Sequence, residues 1–265
     1  MKKKIVIITG NELRHKFFAS FFSKAQGIKL IKCFHENVPK LRDNIEFKKN
    51  KFYRQHVNLR KKVEKNFFQK YVKSNKNYQK KFIKKGEINK KNIINEIISL
   101  KPQYLISYGC SIIKEELIEK FKNNFINIHL GLSPYYRGSG TNFFPFVNNE
   151  IQFCGSTIMK ISKGIDKGAI IHQSRPKIYL NDNIHSIGNR IILNTANDLK
   201  KIITLKKKIK TKKIIINFKT KYYKRKDFTI ESLKKAYENL NSGLIKSYLK
   251  KENILKKKYK IIKTL

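Results

Sequence analysis

The stretch NFINIHLGLSPYYRGSG, residues 124–140, decides how the rest of the chain is read. FINIH (125–129) is apolar enough for a buried strand, yet it carries Asn127 and His129 two positions apart. Side chains alternate between the faces of a strand, so these two polar groups project to the same side. The chain then enters a loop with Gly131, Ser133, Pro134, Arg137, Gly138 and Gly140. Glycine permits close approach and unusual dihedrals, proline fixes the backbone, and the Arg137 guanidinium offers a planar fork to an anion or carbonyl. Alone, Asn127 and His129 would read as satisfied polar residues at a strand end. The loop behind them makes a site the better reading.

The pattern on either side alternates strand and helix. KIVIIT (4–9) is a continuous apolar run ending at Gly10, which predicts a strand covered on both faces. Leu13 to Ala25 predicts a helix with Phe17, Phe18, Phe21 and Phe22 on one face, and KLIKCF (29–34) a second strand. Residues 50–74 predict a long helix whose inward stripe is Phe52, His56, Leu59, Val63 and Phe67. A helix over 89–100, a strand over YLISYG (104–109) and a short helix over KEELIEKF (114–121) lead into FINIH. GSTIMKI (155–161) and AIIHQ (169–173) flank the turn SKGIDKG as antiparallel neighbours. A helix capped by Asn181 or Asp182 then runs to about Leu205. This order predicts an α/β fold, a Rossmann-like open and mostly parallel sheet with its ligands at the carboxyl ends of the strands. Residues 1–204 form the expected catalytic unit. Residues 205–265 form a lysine-rich appendage with a short apolar run (IIINF, 214–218) and a helical segment over 229–249.

Composition narrows the class. A chain of 265 residues can bury a substantial core. The apolar run after MKKK stops too soon for a secretory leader and no segment reads as a membrane span, so the expectation is a cytoplasmic protein. Cys33, Cys110 and Cys154 are far apart and show no metal-ligand spacing, which predicts neither disulfide nor zinc. The formal charge of +43 invites a nucleic-acid reading. Only eight of the 61 basic residues are Arg, however, and the lysines run along the whole chain, densest after residue 200. That is the mark of a coding bias on exposed positions more than of a dedicated phosphate surface. An anionic partner remains a fair expectation.

A second cluster, SKGIDKG (162–168), places Asp166 between two glycines of a tight turn. Read by itself, it is an Asp chosen for the turn. Taken in order, N-x-H, then L-S-P-x-Y-R-G, then G-I-D-x-G about thirty-five residues on resembles the folate-dependent formyltransferases. These include the glycinamide ribonucleotide, methionyl-tRNA and sugar-nucleotide N-formyltransferases. The resemblance is clear over roughly residues 102–175.

The resemblance implies the formyltransferase fold and Asn127, His129 and Asp166 as the catalytic set. It implies 10-formyltetrahydrofolate as co-substrate, without a metal. The pterin end would lie against Tyr108, Gly109, Cys110, Ser111, Ile112 and Ile113 and the turn of Gly164, Ile165 and Gly168, a turn that departs from the commoner form at Lys167 and Ala169. For 108–113, plain packing of each side chain is equally open. An Asn amide and a His imidazolium would serve the oxyanion formed when an amine attacks the formyl carbon. Substrate-binding candidates are Asn11, Arg14 and His15 after the first strand, with Ser133, Arg137 and Gly138 in the loop. A capped helix start with solvated charges explains 11–15 equally well. Tyr53, His56, Arg60 and Glu64 recur every three or four residues and could line a site, though packing is the simpler account. His35, His172 and His185 read as structural.

The acceptor expected is a small, anionic amine, above all an amino sugar on a nucleotide. About sixty residues follow the catalytic unit, fewer than the barrel domain of methionyl-tRNA enzymes requires. A methionyl-tRNA formyltransferase stays as the alternative because of the charge. A non-catalytic, basic RNA-binding protein on the same fold is the reading from another class.

Overall fold

A computed structural model of the chain describes residues 1–37, 47, 49–74, 78–205, 209–214 and 219–265. In chain order the elements are β1 (Lys3–Gly10), α1 (Leu13–Ser23), β2 (Ile28–Asn37), α2 (Lys51–Ser74), β3 (Lys80–Lys84), α3 (Lys91–Ser99) and β4 (Tyr104–Tyr108). There follow α4 (Glu115–Lys120), β5 (Phe125–His129), β6 (Tyr136–Gly138), α5 (Phe144–Val147), β7 (Ser156–Lys160), β8 (Ile170–Ser174) and α6 (Ile184–Thr204). The tail adds β9 (Lys221–Tyr223), α7 (Ile230–Asn241) and α8 (Leu244–Lys258).

Among the described residues the main sheet has seven strands in the order β3-β2-β1-β4-β5-β7-β8. The first five run parallel, and β7 and β8 are antiparallel, as the flanks of the SKGIDKG turn predict. Alternation along β1 explains its continuous apolar run. Ile5 and Ile7 pack with Phe17, Phe18, Phe22 and Phe68 beneath α1, α2 and α6. Val6 and Ile8 face the other way, onto Ile93, Ile94, Ile97 and Leu117 of α3 and α4. Both faces of the sheet are covered from Ile5 onward, so between Ile5 and Ile8 β1 has no position for a polar side chain.

The order of strands reverses direction between β1 and β4, and the loops at their carboxyl ends open beside those of β5. This is where an open α/β sheet binds its ligands. A third apolar cluster lies beyond that edge. Leu132, Tyr135, Tyr136, Phe143, Phe144 and Phe146 of the loop after β5 pack against Leu233 and Ala236 of α7 and Leu244, Ile245 and Tyr248 of α8.

Several expectations are corrected. The cap of α6 is Asn183, not Asn181 or Asp182: its side chain accepts from the His185 and Ser186 amides at 2.9 and 3.0 Å. Asp182 instead binds Arg190 at 2.8 Å. The inward face of α2 is rotated by about one position, to Tyr53, His56, Glu64 and Phe68. A charged residue can occupy that face because Arg14 and Arg60 neutralise it. The segment 229–249 is two helices, broken at Gly243 with φ +83°. The strand β3 was hidden by its lysines, and of the IIINF run 215–218 lie outside the described residues.

Candidate active site

Ser107 and Asn127 are register partners on β4 and β5. The Ser107 hydroxyl donates to Asn127 Oδ1 at 2.9 Å, which leaves the amide –NH2 as the end of Asn127 able to donate to a ligand. Two residues further, His129 is 6% exposed. Its Nδ1 lies 3.2 Å from Asp166 Oδ2, and its Nε2 lies 3.1 Å from the Tyr136 carbonyl oxygen. Both ring nitrogens therefore face acceptors, and only a doubly protonated ring donates to both at once. The two polar clusters of the sequence, far apart along the chain, meet in space.

Asp166 has φ +51°, in the left-handed region where Asn and Asp are the side chains best tolerated. Its carboxylate also accepts the Gly138 amide at 2.9 Å. Arg137 does not stand open to a ligand: Nε and an Nη donate to the Ile165 carbonyl at 3.2 and 2.7 Å and clamp the Asp turn. Gly131 is required where it stands, since a Cβ there would meet His129 Nε2 at 2.5 Å and Thr141 Oγ1 at 2.6 Å. Ser133 is buried. Its amide donates to Thr157 Oγ1 at 3.0 Å and its carbonyl accepts from Gln173 at 2.6 Å, while its own hydroxyl has no partner.

The segment 108–113 divides by side chain. Tyr108 packs into the core with its ring 5.1 Å from His15 and 4.9 Å from Phe18, and Ile113 is buried on the other face. Gly109 takes φ +61°, and Ile112 is 73% exposed. Ser111 Oγ is buried without a partner, as is Ser162 Oγ at the start of the Asp turn. Cys110 and Ile161 both lie against the apolar cluster on that face of the sheet, and Lys163 of the Asp turn pairs with Glu115, just beyond the 108–113 segment. Burial pushes the Cys110 thiol up to about 12, helped by Glu36. Ile165, 39% exposed, rims the turn, while Gly164 and Gly168 bound it.

The mouth of β1 is organised differently. Arg14 pairs with Glu12 and with Glu64 at 2.9 Å, while Arg60 pairs with Glu64 at 3.0 Å and with Glu12 at 2.6 Å. The four side chains close a ring between α1 and α2. Burial opposes the charge of Arg14, but Glu64 and Glu12 outweigh it and hold its pKa above the ordinary value. His15 Nδ1 accepts the Glu12 amide at 3.2 Å, and Asn11 Nδ2 donates to Asn37 at 2.9 Å. Deeper in, the rings of His56 and His185 lie 4.6 Å apart, and His56 Nδ1 is 3.0 Å from the Tyr237 hydroxyl. His35 bridges the Gly10 carbonyl and the Tyr78 hydroxyl, and His172 meets Thr264.

Four contributors are not on the sequence reading's site. Ser107 and Tyr136 fix Asn127 and His129. Thr157 supports both Gly131 and Ser133. Glu36, fully buried, accepts the Ser111 amide and the Gly86 amide, each at 2.5 Å, and so anchors the 108–113 loop. Its signal was available: a lone carboxylate inside the apolar strand KCFHEN.

A model of the formyl transferase family matches residues 48–240. The chain belongs to that family. Its members are enzymes that use 10-formyltetrahydrofolate as the formyl source. Among curated relatives, the methionyl-tRNA formyltransferase of Thermodesulfovibrio yellowstonii is 33% identical over 125 residues, 43% of this chain and 40% of that protein. The methionyl-tRNA formyltransferase of Alkaliphilus oremlandii is 33% identical over 116 residues, 43% of this chain and 37% of that one. The match thus spans about two-fifths of these relatives. Among solved structures, a sugar N-formyltransferase from Shewanella sp. superposes with a TM-score of 0.56 at 18% identity, covering 90% of this formyl transferase chain and 88% of that one. A phosphoribosylglycinamide formyltransferase from Anaplasma phagocytophilum gives 0.54 at 16% identity, over 77% and 87%. These establish the formyltransferase fold expected from the sequence. No helix among the described residues is long and apolar enough to cross a membrane.

Proposed function

We propose that this formyl transferase moves the formyl group of 10-formyltetrahydrofolate to a primary amine, with an amino sugar carried on a nucleotide as acceptor, in the cytoplasm. The observation that carries the reading is the His129–Asp166 pair, set beside Asn127 at the carboxyl end of β5. The folate supplies an electrophilic formyl carbon. Negative charge developing on the formyl oxygen needs donors, and the Asn127 amide is the one already free to serve, while His129 would join it once Nε2 turns from the Tyr136 carbonyl to the ligand. Asp166 orients His129 through Nδ1, so that Nε2 would be the nitrogen that takes the proton lost by the attacking amine and returns one to the departing folate nitrogen.

The residues present fit a flat heterocycle with polar edges. Ser111 Oγ and Ser162 Oγ are buried and unpartnered, and Ile112 and Ile165 expose apolar surface beside them. Gly109, Cys110, Gly164 and Gly168 would contribute backbone to the same slot. Tyr108 and Ile113 would support it from the core. Asn11, His15 and Gly138 remain acceptor-side candidates with Ser133, while Arg14 and Arg137 would act through the segments they brace.

Two observations bear on the acceptor. The fold of the Shewanella sugar N-formyltransferase extends over 90% of the chain, which supports an amino sugar as acceptor. The curated relatives are methionyl-tRNA formyltransferases, which supports tRNA as the second reading, together with the charge of +43. Incubation with 10-formyltetrahydrofolate and either nucleotide amino sugars or charged initiator tRNA separates them by mass spectrometry of the product. A formamido sugar supports the first reading, and formylmethionyl-tRNA alone would replace it with the second.

A further inference from the structure

Three consecutive residues of strand β6 hold the candidate catalytic pair and its turn, two by direct contact and one through Ile165. The Tyr136 carbonyl faces His129 Nε2, the Arg137 side chain holds the Ile165 carbonyl, and the Gly138 amide holds Asp166. A three-residue strand has little rigidity of its own, and β6 belongs to no part of the main sheet. Its pairing partner is β9, from the tail, in parallel register Tyr136↔Lys221, Arg137↔Tyr222 and Gly138↔Tyr223.

The join is tight and polar. The Lys221 amide donates to the Tyr135 carbonyl at 3.0 Å, and the Ser139 amide to the Tyr223 carbonyl at 2.8 Å. A Cβ on Gly138 would come within 2.1 Å of that Tyr223 oxygen, so only glycine allows this approach. Lys221 Nζ sits 2.8 and 2.7 Å from the two oxygens of Glu150, which also receives the Tyr136 hydroxyl. Asn148 Nδ2 donates to both Tyr136 and Tyr223 hydroxyls at 2.8 Å, and the Tyr223 ring stacks on Phe144 at 3.7 Å and 5°.

A second tail segment reaches the same loop by another route. The Gln173 side chain is fully buried and binds the Ser133 carbonyl and Thr157 Oγ1 at 2.6 and 3.0 Å. Its Oε1 accepts the Ile262 amide at 3.1 Å, while the Gln173 amide donates to the Ile262 carbonyl at 2.7 Å.

We propose that the 205–265 appendage is a built-in clamp whose strand β9 sets the geometry of the His129–Asp166 pair, with Lys221 and Tyr223 as positioning residues. This rests on the reading of His129 and Asp166 as the reacting pair. Among the described residues the tail makes no hydrogen bond or ion pair to either group; it acts through β6, and a displacement of about 1 Å there is worth about 10²-fold in rate.

The test uses the full chain labelled with 15N-histidine, with the His129 ring signals assigned by their loss in His129→Gln. Lys221→Met removes the ion pair with Glu150 and keeps the aliphatic stem. Tyr223→Leu removes the ring stack and the Asn148 bond. Ile254→Lys, on the exposed side of α8 (69% exposed), is the control. The proposal expects the His129 ring shifts and titration curve to move in both β9 variants and not in the control. It expects kcat to fall about 10- to 100-fold with KM for the folate held within about twofold, and Lys221→Arg to recover most of the loss. Should Tyr223→Leu fail to fold, Lys221→Met carries the test, since it removes only a part-exposed pair. His129 signals unchanged in folded β9 variants overturn the clamp whether or not turnover falls. If the wild type transfers no formyl group, the function is wrong, and the ring signals still decide the clamp.

Discussion

Two polar clusters stand at the carboxyl edge of the same sheet, and they differ in what faces their charges. At the mouth of β1, side chains meet side chains: Glu12, Arg14, Arg60 and Glu64 offset one another in a closed ring. Beside β5, charges meet backbone dipoles. His129 and Asp166 face each other and, from β6, the Tyr136 carbonyl and the Gly138 amide, and Asn127 keeps its amide –NH2 in reserve. A ring of paired ions is complete without a ligand. A pair braced by fixed dipoles, next to an uncommitted donor, is the arrangement the proposed reaction would need for charge developing on a ligand.

The comparison breaks most sharply on activity. His129→Ala should lower formyl transfer by about 10²- to 10⁴-fold and Asn127→Ala by about 10²- to 10³-fold, with unfolding midpoints close to wild type. Glu64→Gln should do the reverse. It leaves Arg14 and Arg60 sharing one carboxylate, so denaturant titration should show a loss of about 2 kcal/mol while turnover changes by less than about threefold. A large turnover loss in Glu64→Gln at full stability would place the β1 mouth in the reaction and dissolve the distinction.

Acid sharpens it further. Burial lowers His56 to about 4, and burial with the neighbouring His56 lowers His185 to about 3. Arg60 adds to both shifts. Below about pH 6.5 the unfolded chain takes up these protons while the folded chain does not, so stability is complete above that pH and falls towards pH 4. Each histidine contributes a slope of roughly 1.4 kcal/mol per pH unit in that window. Burial lowers His35 as well, so it adds to the same slope. Unfolding by guanidinium at pH 7, 6 and 5 reads the sum, and His185→Leu should make it shallower by roughly 1.4 kcal/mol per pH unit. The smallest effect expected belongs to a residue in neither cluster: Asn183→Ala should cost about 1 kcal/mol through the cap of α6, with turnover unchanged.

The same contrast explains what could be read without coordinates. Strand alternation puts Asn127 and His129 on one face, and the glycine-rich loop behind them marks a candidate site. Asp166, between its glycines, reads as a turn residue and becomes a candidate only through the resemblance of the ordered motifs. The sheet was legible because KIVIIT, YLISY and FINIH are apolar beyond what one covered face needs. Tyr136 and Gly138 escaped notice in their actual roles, since a backbone carbonyl or amide carries no residue identity. Lys221 disappeared among 61 basic residues, and β3 among its own lysines. The inward face of α2 was misjudged because hydrophobicity alone cannot foresee that Glu64 will be buried with two arginines. Arg14 and Arg137 are attractive as anion ligands in sequence, yet Arg14 is paired with Glu12 and Glu64 and two nitrogens of Arg137 hold the Ile165 carbonyl.

The most direct test of the central claim is isothermal titration of the wild type and of Asp166→Ala with a stable analogue of 10-formyltetrahydrofolate. Binding near the micromolar range, about −8 kcal/mol, that weakens tenfold or more in the variant is the result expected. A well-folded wild type that takes up no analogue would contradict the account.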